Sequence, residues 1–240
     1  MSDPIQSLWW GRLSAMERLC AASYIANGHP FHLYTYGPDP TDLPDGVELE
    51  DANEVAPQSR MADFPSVAQF SDFFRYKLLL ERGGWWVDMD SVCLRPFDFA
   101  AEYVLVRHIR QPPGDFELVI SNGYMKFPPG SPVMKWALEQ CRMADRSKLA
   151  WETLGPKLIT QAMWKFSLKW EPSGLFLPIP WWEWGKILEA AAPPLPEDAY
   201  AVHLWNTEWS RARMNKDATY APESLYEQLK RRYAAAMGRC

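Results

Sequence analysis

GGWWVDMD, residues 83–90, runs an apolar stretch straight into two acids separated by one residue. Gly83 and Gly84 read as a helix stop, and Trp85, Trp86 and Val87 as a strand. Asp88 and Asp90 then stand where that strand ends. In an extended chain alternate residues share a face, so the two carboxylates converge. Such a pair can hold a hard divalent cation, do acid–base chemistry, or mark where a strand meets water.

Working outward, a helix is expected after Pro65, with Ser66 and Gln69 in a capping-box pattern and Phe70, Phe73, Phe74 and Leu78 as its apolar stripe. Asp72 and Arg75 lie three apart on that helix, a spacing that in isolation reads as an intrahelical ion pair. Further upstream, IQSLWW (5–10) reads as a strand. A helix capped by Ser14 and Glu17 follows and ends at Gly28, and FHLYTYG (31–37) is the next strand. This β-α-β opening predicts an α/β fold with a mostly parallel central sheet flanked by helices, and such sheets bind ligands outside the carboxyl ends of their strands.

A short strand is expected at 47–49. Beyond Asp90, strands are expected at 102–108 and 117–121, helices at 131–144 and 153–166, a loop with a strand piece at 175–185, and a last helix over 222–237. There are no internal repeats and no long linker, so one domain over 1–240 is expected.

The net charge of −5 lacks the basic excess of a nucleic-acid binder. The longest apolar runs, LLL (78–80) and AAA (190–192), fall far short of the roughly 20 residues of a membrane span. The first ten residues carry no signal core, so a cytoplasmic location is expected. The final helix carries Lys230, Arg231, Arg232 and Arg239, a face for peripheral contact with an anionic inner-membrane surface or simply a solvated one. Cys20, Cys93, Cys141 and Cys240 are scattered and read as free thiols. Thirteen tryptophans are an unusual number, and each is either core or a stacking face.

SDFFRYKLLLERGGWWVDMDSVCLRPFD (71–98) resembles the DXD segment of sugar-nucleotide glycosyltransferases. That family includes capsular-polysaccharide transferases, α-1,4-galactosyltransferase-like enzymes and the glucosylating domains of large clostridial toxins. Its pattern is matched by Asp72, Arg75, Gly83, Gly84, Trp86, Asp88, Asp90 and Pro96, although the family usually places a tyrosine at Trp86. IQSLWWG, SNGYMKFPPGSPVM (121–134), TLGPKLIT, LPIPWW and AVHLWNTEW (201–209) resemble further family segments, more weakly.

The resemblance implies a GT-A type nucleotide-diphospho-sugar transferase fold, with the nucleotide-sugar-binding half over about 1–100, the acceptor side and closing loop over about 101–221, and a terminal helix over 222–238. It implies a metal-dependent hexosyl transfer from a nucleotide-sugar donor, UDP-linked by analogy, to a glycan or lipid-linked saccharide acceptor, with retention of configuration. Mn²⁺ or Mg²⁺ is the implied cofactor, with Asp88, Asp90, His203 and Asn206 as candidate metal ligands. Asp88, Asp90 and Asn122 are the candidate catalytic residues. Trp9 or Trp10 would stack the base, and Asp72, Arg75, Trp86, Asp88 and Trp209 would contact the donor. Asn122, before Gly123, reads equally as a turn residue. Trp181, Trp182 and Trp184 form an acceptor platform or pack a loop.

Two other readings compete. Asp88–Val92 fits the opening of haloacid-dehalogenase-like phosphohydrolases, where the first Asp is a nucleophile on Mg²⁺, but that motif belongs on a first strand with a later acid pair that is missing here. A non-catalytic carbohydrate-binding protein would account for the tryptophans, but not for the acids with Asp72 and Arg75.

Overall fold

The computed structural model describes residues 3–38, 40–109, 118–146, 149–191 and 193–238. Strand β1 (Ile5–Leu8) leads through helix α1 (Ala15–Ala26) to β2 (Phe31–Thr35), which pairs with β1 in parallel. The expected capping box forms at Ser14 and Glu17. β3 (Val47–Asp51) adds in parallel outside β2, followed by the one-turn helix α2 (Ala52–Val55). The chain then crosses back through α3 (Val67–Arg82) to β4 (Gly84–Val87), parallel to β1 on its other side.

At the start of α3, Ser66 accepts from Gln69 N, but the Gln69 amide does not complete a capping box. It donates instead to the carbonyls of Leu149 and Ala150, tying α3 to the segment before the fifth helix. Gly83 ends α3 at φ 67°, and a Cβ there would lie 2.5 Å from Pro129 Cδ. No other residue combines that backbone with that clearance.

After β4 come β5 (Ser91–Cys93), β6 (Val104–His108) and β7 (Val119–Phe127). β7 pairs antiparallel with β4, and β6 antiparallel with β7. The sheet order is β3-β2-β1-β4-β7-β6, with three parallel pairings and two antiparallel. β5 leaves that sheet and pairs with β8 (Ala201–His203) in a small antiparallel pair, Ser91 opposite His203. Helices α4 (Pro132–Met143), α5 (Pro156–Lys165), α6 (Asn206–Arg211) and α7 (Leu225–Arg232) complete the chain.

The alternation of β4 sends its tryptophans to opposite sides of the sheet. Trp85 packs on Phe97 and Phe99, whereas Trp86 packs on Phe74 of α3. Both are 1% exposed, so β4 is the sheet's buried spine.

Several expectations are corrected. The strand expected at 117–121 runs on to Phe127, through Asn122 and Gly123, so Asn-Gly is not a turn; Glu117 lies outside the described residues. Residues 175–185 form no sheet strand, and Trp181–Ile187 is a 3₁₀ turn. The last helix stops at Arg232. Its bases are tied within the chain: Lys230 to Glu227, Arg231 to Pro222 O and Arg232 to Leu94 O. Arg239 and Cys240 lie outside the described residues, and the other three cysteines are buried free thiols. Among the described residues, no helix is long and apolar enough to cross a membrane.

Candidate active site

From β1 the chain turns outward to β2 and β3, then returns to place β4 on the opposite side of β1. Such a switch splays the loops that follow the two central strands and opens a crevice at their carboxyl ends. A cleft of about 820 Å³ lies there, lined by Trp9 and Trp10 after β1 and by Asp88 and Asp90 after β4.

Arg75 is the hub of the cleft floor. Its Nη1 donates to Asp88 Oδ1 at 2.9 Å and to the Asn122 carbonyl at 2.6 Å. Nε and Nη2 donate to Ser71 O and Oγ, and Nη2 lies 3.6 Å from Asp72. Its N–H groups are thus committed to the protein, and its guanidinium also sits 4.6 Å from the Trp86 ring centroid. Trp86 donates its indole N–H to the same Asp88 Oδ1 at 2.9 Å. A hydrogen-bond donor therefore remains where the family's tyrosine hydroxyl is missing.

Asp72 accepts from Asn122 Nδ2 at 2.6 Å. Burial pushes the Asp72 carboxyl up to about 7, against the downward pull of Arg75.

Asp88 Oδ2 lies over Gly123, where a Cβ would approach it to 2.8 Å. That contact explains glycine in mid-strand. Gly123→Ala is expected to displace the Asp88 carboxylate and lower transfer or metal affinity by about 10–100-fold, the usual range for disturbing a ligand's support. A Mn²⁺ titration matching the parent's would count against a functional role for this close approach.

The third part of the site comes from the β8–α6 connection, brought in by the β5–β8 pair. His203 Nε2 lies 3.3 Å from Asp90 Oδ1, and the Asn206 backbone N–H donates to Asp90 Oδ2 at 2.7 Å. Burial pushes Asp90 above the usual carboxylate range, with His203 pulling it back. His203 Nδ1 accepts from Trp205 N at 3.1 Å, which leaves the imidazole proton on Nε2, toward Asp90. Asp88, Asp90 and His203 each offer a ligand atom, all within 4.8 Å of one another. Asn206 Oδ1 is buried and has no hydrogen-bond partner. Three oxygen donors and an imidazole, one oxygen unsatisfied, fit a hard divalent cation.

The structure brings Trp9, Trp10, Asp72, Arg75, Trp86, Asp88, Asp90, Asn122, His203 and Asn206 into one cleft. It does not bring Trp209 there. Trp209 is fully buried, donates to Leu204 O and packs on Tyr226 and Trp184. The tryptophan triplet is split: Trp181 lines the cleft, Trp182 lines a second pocket, and Trp184 packs on Trp209.

Trp205 lies within AVHLWNTEW (201–209), where the resemblance assigns it no role. Its backbone is left-handed at φ 61°, ψ 53°, and its ring lies 4.3 Å from that of His203, lining the cleft. A bulky non-glycine residue is held in that region only where its surroundings fix it. Its place in the His-x-Trp pattern of that segment, between His203 and Asn206, is the signal that points to it.

The cleft is acidic. Among its charged lining residues, Asp72, Asp88 and Asp90 surround Arg75, while Glu208 is paired with Arg211 and Glu152 with Lys157 outside the cleft.

Residues 31–106 match the family described as glycosyltransferase sugar-binding region containing DXD motif. Residues 126–236 match the alpha 1,4-glycosyltransferase conserved region. The two matches follow chain order without overlap and take in both halves of the acid–histidine cluster. No curated protein matches significantly. Among solved structures the chain is similar to the PaToxG glycosyltransferase, with 14% identity and a TM-score of 0.53 over 99% of this chain and 87% of that one. A second likeness, to the glycosyltransferase GlyE of Streptococcus pneumoniae TIGR4, has 12% identity and a TM-score of 0.48 over 98% of this chain and 64% of that one. The first of these carries the fold, which is the GT-A type anticipated from the sequence. The chain carries the glycosyltransferase sugar-binding region containing DXD motif, followed by the alpha 1,4-glycosyltransferase conserved region, and is a glycosyltransferase.

Proposed function

We propose that this glycosyltransferase moves a hexose from a UDP-linked donor to a glycan or lipid-linked saccharide, with retention of configuration and dependence on Mn²⁺ or Mg²⁺. The observation that carries the reading is the acidic cleft around Asp88, Asp90 and His203. A nucleotide diphosphate would be repelled by the Asp88 and Asp90 carboxylates, because Arg75, the cation beside them, is committed to the floor. A divalent cation held by Asp88, Asp90 and Asn206 Oδ1 reverses that sign. His203 Nε2 faces the same space and can join by giving up its proton together with the Nδ1 contact to Trp205. When bound, such a cation supplies Lewis-acid neutralisation of the charge that grows on the departing diphosphate.

The remaining work belongs to the protein. Trp9 and Trp10 give the base a stacking wall. Arg75 acts through Asp88 and Asp72, fixing both carboxylates, rather than on the diphosphate itself. Asp72 and Asn122, already hydrogen-bonded to each other, present acceptor and donor groups to the hydroxyls of the donor sugar. Trp205 and Trp181 cover the reacting centre against water.

The phosphohydrolase reading asks Asp88 to attack phosphorus. Instead, two donors saturate its Oδ1, and no lysine is among the described residues that line the cleft. The test is thermal stabilisation by a panel of nucleotide sugars with and without Mn²⁺, read beside UDP release and the anomer of the product. UDP-sugars with Mn²⁺ are expected to raise the melting temperature, by mass action on the folded state. If no nucleotide sugar shifts it and none is hydrolysed, the proposal fails.

A further inference from the structure

A second pocket of about 190 Å³ adjoins the cleft and shares His108 and Trp205 with it as a common wall. We propose that this pocket is a saccharide subsite, which holds the second sugar unit of an oligosaccharide acceptor while the terminal unit reacts in the cleft. The inference deepens the transferase reading above and rests on its donor site.

A chain of ring contacts runs from the reaction centre to the pocket. His203 of the acid–histidine cluster lies 4.3 Å from the Trp205 ring, and Trp205 lies 5.7 Å edge-on to His108 at the pocket wall. Trp205 is pinned there by its indole N–H, which donates to Ile179 O at 2.8 Å. On the other side, consecutive tryptophans divide the two spaces. Trp181 lines the cleft and Trp182 the pocket, their rings 6.0 Å apart and nearly perpendicular at 87°. An oligosaccharide lying over the shared edge at Trp205 and His108 would thus meet one tryptophan wall in each compartment.

Size and chemistry select the occupant. The pocket holds about six water volumes, the scale of a single pyranose ring. Pro178, Pro180 and Trp182 give it flat apolar walls for the C–H face of a sugar. Among the described residues the Trp182 indole N–H has no protein partner, so it is free to donate to a sugar hydroxyl. An acyl or isoprenoid chain would fill the same walls but leave that donor unsatisfied, at a cost on burial. A pocket beside the acceptor side, rather than behind the base-stacking tryptophans, reads the acceptor and not the donor.

The test uses the full chain with UDP and Mn²⁺ on a glycan array that includes monosaccharides, with melting-temperature shifts by UDP and Mn²⁺ measured in parallel. Wild type is expected to retain glycans of two or more units over their terminal monosaccharides. Trp182→Ala, and Gly174→Phe at the pocket rim, should each weaken glycan retention by about tenfold or more and leave the UDP shift unchanged. Gly174 accepts a side chain without strain, since a Cβ there meets nothing within 4 Å, so that variant blocks the pocket in a folded protein. Retention undiminished in both variants, or UDP binding with no saccharide retained by wild type, overturns the subsite while sparing the donor reading. Loss of the UDP shift in wild type overturns the donor reading, and the subsite with it.

Discussion

Asp90→Asn is expected to abolish transfer, by on the order of 10³-fold, the scale of removing a principal electrostatic stabiliser of a transition state. The same substitution should leave the fold intact, and this asymmetry is the diagnostic part. Asp90 is 8% exposed, and burial disfavours its charge, with Asp88 adding repulsion. Removing that charge relieves the repulsion, while the amide still accepts from Asn206 N. In EDTA the variant should therefore melt within about 2–4 °C of the parent, the shift expected from about 1 kcal/mol in a chain of this length. The parent should gain about 2.7 kcal/mol from Mn²⁺ at a hundred times its dissociation constant, or about 5–10 °C, and the variant should gain none of it. Scanning calorimetry with and without Mn²⁺, beside a UDP-release assay, reads both effects. A variant that keeps the Mn²⁺ shift would remove Asp90 from the site.

The parts of the site that were legible are those whose signals are local. Ser14 with Glu17 announces α1, Gly83 announces the end of α3, and the step from Val87 to Asp88 announces the end of β4. From these the switch point and one wall of the cleft follow.

What could not be read depends on contacts between distant residues. β5 and β8 are three residues each, and they meet across more than 100 residues of chain. No periodicity marks strands so short, yet their pairing delivers His203 to Asp90. Asn122-Gly123 carries a turn signal, but tertiary contacts override it. Arg75 claims the Asn122 carbonyl, and Asp88 needs the missing side chain at Gly123. The family resemblance implies a donor contact for Trp209. On α6, however, Asn206, Thr207, Glu208 and Arg211 take the cleft side, and Trp209 turns into the core. The left-handed turn at Trp205 sets that arrangement, and a tryptophan carries no sign of positive φ.

Arg75→Met is expected to be the most destabilising single change in the cleft. Arg75 is 6% exposed and neutralises Asp72 and Asp88 together while satisfying the Asn122 carbonyl. Methionine keeps much of the volume but leaves the buried Asp72 and the half-buried Asp88 without their shared cation. Breaking a buried pair from one side costs about 3–5 kcal/mol, or about 6–20 °C in melting temperature. Urea unfolding at several pH values tests the cause as well as the size. Asp72 already titrates near 7 in the folded chain, above its unfolded value, with Arg75 pulling it down. A carboxyl raised in this way favours the folded state below its unfolded pKa, and that contribution is lost as pH rises through the folded value. Removing Arg75 raises the folded value further. The deficit of the variant should therefore shrink as pH falls from about 8 toward 5. Adding Asp72→Asn to Arg75→Met removes one of the stranded charges, so the double variant should recover part of the loss near pH 8, a coupling that independent sites would not show. A pH-independent deficit with strictly additive changes would mean that Arg75 supports the floor by packing alone. The guanidinium would then have no part in holding Asp88 where the cation is expected.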